Sequence, residues 1–126
     1  MSAGIIFYVL FALFLKHLVI DFPIYSNYIC RDIDTPGVVW YTHIILHGLA
    51  TAGVLLIIKI PLGICILLGI IDLFIHALID ALMIYCGKRC RNDANFKSKF
   101  SWVVNIDQYL HTLMYVFLTF GLVLIL

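Results

Sequence analysis

Four apolar stretches, at about residues 4–21, 37–58, 62–85 and 101–126, take up nearly all of a 126-residue chain. Each is close to the roughly 20 residues that a helix needs to cross the hydrocarbon of a bilayer. The chain is 64% hydrophobic and only 12% charged, well outside the range of ordinary soluble domains. These numbers predict an all-α fold: an integral membrane four-helix bundle, one domain over residues 1–126, with no length left for a soluble domain. Asp21, Phe22 and Pro23 are expected to close the first helix. The linker from Pro23 to Pro36 reads as a loop or short interfacial segment, and Lys59, Pro61 and Gly63 mark a tight turn. No positive residue precedes the first apolar run and no small-residue cleavage pattern follows it, so it is expected to stay as an anchor.

The basic residues set an orientation. Lys16, Arg31, Lys88, Arg89, Arg91, Lys97 and Lys99 fall at one end of the predicted helices and Lys59 alone at the other. The positive-inside rule then puts the first and third loops in the cytoplasm and both termini outside, in a multi-pass protein of the inner (cytoplasmic) membrane. Trp40, Tyr41, Tyr85, Trp102 and Tyr109 fall near the cytoplasmic interface, as an aromatic belt would. A formal charge of +1 gives no excess of Lys and Arg for a nucleic-acid partner. The partners expected are membrane lipids and, beyond them, a second copy of the chain or a host membrane protein.

Inside the apolar stretches, ionisable residues recur four apart: His17 and Asp21, His43 and His47, His76 and Asp80, Asp107 and His111. Positions i and i+4 share a helix face, so each pair offers two ligand side chains to one point. All five histidines belong to such pairs, a coincidence on the order of one in a thousand for this composition, which argues against accident. Counting 1.5 Å per residue from the predicted cytoplasmic ends, His17, His43, His76, Asp80, Asp107 and His111 converge on one layer about 7 to 15 Å deep. Asp72, at about 20 Å, falls outside it.

Nine intramembrane ionisable residues are more than helix packing needs, since each costs about 2.5 to 3.5 kcal/mol on the insertion scale. A divalent metal offsets that cost, because neutral imidazole and carboxylate are its ligands and its charge balances the aspartates. The expected ligands are His17, His43, His47, His76, Asp80, Asp107 and His111, enough for one or two ions, zinc before manganese or iron. Asp21 and Gln108 suit positions behind the ligands. Cys30, Cys65, Cys86 and Cys90 do not form the two matched pairs of a structural zinc site and read as free thiols.

The order His17-x3-Asp21-Phe22, His43-x3-His47, His76-x3-Asp80 and Asp107-Gln108-x2-His111 resembles the small four-helix membrane proteins of bacteria and their phages grouped as domain of unknown function 3307. The resemblance covers nearly the whole chain, and its opening and closing motifs are the most specific parts. It implies a membrane protein without an established activity. In style the pattern is also similar to families described as membrane-bound metal-dependent hydrolases.

Three functions fit these residues. The first is a metal-dependent hydrolase of a lipid or lipid-linked substrate at the cytoplasmic leaflet, with metal-activated water as nucleophile, Asp21 or Asp107 as general base, and Lys88, Arg89 and Arg91 for an anionic head group. The second is a conduit for divalent metal or protons, which Asp72 favours. The third is a non-catalytic phage-type membrane protein, with a structural metal, that binds a host membrane protein.

Overall fold

The computed structural model describes residues 2–28, 37–90 and 95–126. Arg31, Asp32 and Asp34 of the linker, Cys30, and Arg91 of the basic loop lie outside the described residues. The described residues form four helices: α1 (Ala3–Tyr28), α2 (Val38–Ile57), α3 (Leu62–Cys90) and α4 (Phe96–Ile125). All four are long and apolar enough to cross a membrane. Each packs against its neighbours in chain order, and α1 closes the ring against α4.

Three helices are longer than their apolar stretches predict, and all at the same end of the bundle. α1 passes through Pro23 to Tyr28, α3 runs to Cys90 and α4 begins at Phe96. Proline removes one backbone donor, here the one that would reach Val19, but the residues after it can still bond back along the helix, so Pro23 does not stop α1. Lys88 and Arg89 in the last turn of α3 complement its dipole.

The α2–α3 connection is a Schellman ending. Ile60 N–H donates to the Leu55 carbonyl (3.1 Å) and Lys59 N–H to that of Leu56 (2.9 Å), with Lys59 in the left-handed region at φ 66°. Pro61 then opens α3, its carbonyl accepting from Ile64 (2.9 Å) and Cys65 (3.1 Å). Beyond this turn α2 and α3 meet closely through glycines. A Cβ on Gly48 would lie 2.8 Å from the Gly69 carbonyl oxygen, and one on Gly69 would lie 2.7 Å from that of Gly48. Small residues at a crossing let two backbones approach, and here they bring the polar faces of α2 and α3 together.

The pattern of burial is inverted relative to a soluble bundle. Phe7, Phe74, Leu78, Phe117 and Phe120 are exposed, while histidines, aspartates and a lysine are buried. Such a surface is satisfied by lipid. Inside, each helix turns one i, i+4 stripe to the axis: Val9, Leu13, His17 and Asp21 on α1; His43, His47, Thr51 and Leu55 on α2; Leu68, Asp72, His76 and Asp80 on α3; Asp107, His111, Tyr115 and Thr119 on α4. All of these are buried except Asp80, whose side chain is 15% exposed. Because neighbouring helices are antiparallel, the stripes stack as layers. Leu13, Leu55, Leu68, Leu118 and Leu122 fill the half nearer the termini.

Candidate metal centre

Histidines from all four helices form a closed ring. The centroid distances are 5.4 Å from His17 to His47, 3.8 Å from His47 to His76, 4.2 Å from His76 to His111 and 4.9 Å from His111 back to His17. One turn toward the loop end, Asp21, His43, Asp80 and Asp107 form a second layer. His43 bridges the two, its ring 4.5 Å from that of His47 and 5.2 Å from that of His76.

Two groups of ligand atoms converge between these layers, each with its members within 4.8 Å of one another: Asp21, His43, His47 and His76, and then His76, Asp80 and His111. In the first, His43 Nε2 lies 3.3 Å from His76 Nε2 and 3.5 Å from Asp21 Oδ1. In the second, Asp80 Oδ1 lies 3.5 Å from His111 Nε2 and 3.7 Å from His76 Nε2. Asp80 Oδ2 is also 3.9 Å from His43 Nε2. Ligands at 2.0–2.1 Å from a tetrahedral ion stand about 3.3 Å apart, so these spacings fit a shared cation.

The donor chemistry fits as well. Among the described residues His111 Nε2, which faces Asp80, is buried with no hydrogen-bond partner. Facing Nε2 atoms of two imidazoles hold at most one proton between them, or an ion.

The expected ligands divide by position. His43, His47, His76, Asp80 and His111 belong to the two groups. His17 and Asp107 lie outside both, and Asp21, expected behind the ligands, lies within one. On α1, Asp21 is one turn nearer the loop end, level with His43, while His17 sits beneath and supports it, with His17 Nε2 3.2 Å from Asp21 Oδ2. Gln108 donates to Asp21 Oδ2 (3.4 Å) and Asp107 Oδ2 (3.3 Å), which is the supporting role expected of it. Asp107 stands behind His111: its backbone oxygen accepts from His111 Nδ1 at 3.0 Å and its Oδ1 lies 3.5 Å from the same nitrogen. That places the Asp107 carboxylate against the nitrogen that does not face Asp80.

The sequence reading missed the floor of the site. Lys16, counted there with the basic residues of the cytoplasmic end, is 8% exposed and pairs with Asp72 at 2.7 Å. Six of the eight basic residues then remain at that end of the sequence and Lys59 at the other. Thr51 also donates to Asp72 Oδ2, and the Tyr115 hydroxyl lies 3.4 Å from His17 Nδ1. Each of these residues continues a stripe, since Thr51, Asp72 and Tyr115 are four positions from His47, His76 and His111. Below them the wall is apolar, and the Thr119 hydroxyl is bonded to its own helix at the Tyr115 carbonyl (2.8 Å).

At the loop end, Lys88 and Arg89 are exposed, with the Arg89 guanidinium 5.7 Å from the centre of the Tyr85 ring. Cys65 and Cys86 are free thiols; Cys65 is buried and donates to the Ile60 carbonyl (3.3 Å).

Residues 9–125 match the family described as protein of unknown function DUF3307. The chain belongs to this family. No match is found among curated proteins or among solved structures.

Proposed function

We propose that this DUF3307 protein is a membrane-embedded metalloprotein that holds one or two divalent ions, zinc first, and hydrolyses a lipid or lipid-linked substrate at the leaflet facing the loop end. The observation that carries the reading is the convergence from four helices of six side chains of metal-ligand type, Asp21, His43, His47, His76, Asp80 and His111, with His76 common to both groups. A bound divalent ion would supply Lewis acidity toward a phosphoryl or carbonyl oxygen and acidify water.

The chain's own residues would do the rest. Asp80 and His43 are the most accessible members of the centre, with side chains 15% and 10% exposed, so substrate would approach from their side. Asp80 is then better placed than the buried Asp107 to accept a proton from incoming water. His17, Gln108 and Asp107 would hold Asp21 and His111 in place. The polar stripe ends at Lys16, Thr51, Asp72 and Tyr115, and the leucine layers beneath favour a site open to one side over a conduit.

The test is metal content and turnover on the same preparation. Purified protein in phospholipid vesicles should release head group or acyl chain from a labelled lipid, lose that activity to a chelator, and lose it in Asp80→Asn. Metal-dependent flux through sealed vesicles without hydrolysis would refute the enzyme and favour the conduit.

A further inference from the structure

What each ring touches shows where its proton sits. His111 Nδ1 faces a backbone oxygen, which only accepts, so Nδ1 carries the proton and the buried Nε2 offers a lone pair toward Asp80. His111 is thereby set to bind a cation. His47 is set the other way. An ammonium has three N–H donors and no acceptor, and Lys16 Nζ meets three acceptors: Asp72 Oδ2 at 2.7 Å, the His47 carbonyl at 3.1 Å and His47 Nδ1 at 3.3 Å. The Tyr115 hydroxyl, 3.5 Å from the same Nδ1, can donate as well, so the contacts favour an accepting Nδ1, a ring proton on Nε2, and donation from Nε2 to Asp21 Oδ1 at 2.9 Å. A neutral imidazole in that state has no lone pair at Nε2 for an ion.

We propose that His47 is a positioning residue and not a metal ligand: Lys16 holds its Nδ1, its Nε2–H carries Asp21, and the ion is left to Asp21, His43, His76, Asp80 and His111. The proposal rests on the metal-centre reading above. Metal sites commonly steer a histidine ligand with a carboxylate behind it, and here the order is reversed, with a histidine steering a carboxylate ligand. The arrangement also explains a buried lysine beside a cation site, since Lys16 is neutralised by Asp72 and spends its donors on fixing one ring. Thr51, donating to the same carboxylate oxygen, fixes Asp72 in turn.

The test uses full-length protein in detergent, titrated with Co²⁺ alone. In the double variant Lys16→Met/Asp72→Leu both buried charges leave together, so neither is stranded, and the His47 proton is free to move to Nδ1. The proposal expects Co²⁺ affinity to fall about 10- to 100-fold, as loss of an outer partner does, with stoichiometry and visible ligand-field spectrum unchanged at saturation. His47→Gln, whose amide can still donate toward Asp21, is expected to keep the same stoichiometry and spectrum, and it stands alone if the double variant does not fold. An unchanged affinity in the double variant overturns the proposal, because the proton position that Lys16 sets on His47 would then contribute nothing to the site. So does a lost equivalent or shifted spectrum in His47→Gln. A wild-type protein that takes up no ion overturns the metal-centre reading itself.

Discussion

Replacing Gly48 by alanine tests whether the glycine crossing sets the spacing of the histidine ring. The added Cβ would meet the Gly69 carbonyl oxygen at 2.8 Å and Leu73 Cβ at 2.9 Å, about 0.6 Å inside ordinary contact, and both neighbours belong to the body of α3. Neither can swing away like the end of a long side chain, so α2 and α3 must separate. Overpacking of this kind costs about 1–3 kcal/mol, against which alanine recovers up to about 1 kcal/mol of helix propensity. Gly53, on the same helix, supplies the control: a Cβ there meets nothing within 4 Å, so Gly53→Ala gains the propensity without the clash. The difference between the two variants isolates the crossing and should be about 1–3 kcal/mol, with Gly48→Ala the less stable. Reversible unfolding in mixed detergent micelles, followed by circular dichroism, measures it. Equal stability of the two variants would refute a packed glycine crossing.

Lys59→Gly should stabilise the protein by up to about 1 kcal/mol in the same assay, because the chain holds φ 66° there at a cost that glycine does not bear; a loss of stability would mean that the lysine side chain contributes more than its backbone costs. Asp72→Leu alone should cost about 3–5 kcal/mol by stranding the Lys16 ammonium, and adding Lys16→Met should recover most of it, so strict additivity of the two changes would contradict the ion pair. A fluorescent protein that matures only in the cytoplasm, fused after Leu126, should stay dark while one inserted in the third loop should light up, because the basic residues other than Lys16 and Lys59 gather at the loop end; the reverse pattern would invert the proposed orientation.

The four helices and the layer of polar pairs were legible in the sequence because membrane spans are written as apolar length and because i, i+4 spacing fixes a shared face. Helix ends were not. The runs from Phe22 to Tyr28 and from Phe96 to Phe100 extend α1 and α4 past the apolar segments, where hydropathy carries no signal and Pro23 points the wrong way. Spacing puts Asp21 one turn from His17 but does not say which of the two reaches the histidines of α2, and in the fold it is Asp21, with Oδ1 2.9 Å from His47 Nε2. Lys16 was misplaced because a lysine near the end of an apolar run is ordinarily counted at the membrane surface. The counter-signal was Asp72, an acid in the wrong layer that required a cation. Thr51 and Tyr115 obey the same rule as the histidines, each lying four positions beyond one, at His47 and His111.

Elemental analysis of the purified protein against His76→Ala bears most directly on the metal centre, because His76 is the residue common to both ligand groups. At least one equivalent of a divalent transition metal per wild-type chain is expected after gel filtration without chelator, or on titration with zinc, with most of it lost in a folded His76→Ala variant. A wild-type chain that carries none and takes up no zinc, manganese or iron, or a His76→Ala variant that retains its full complement, would contradict the metal-centre reading.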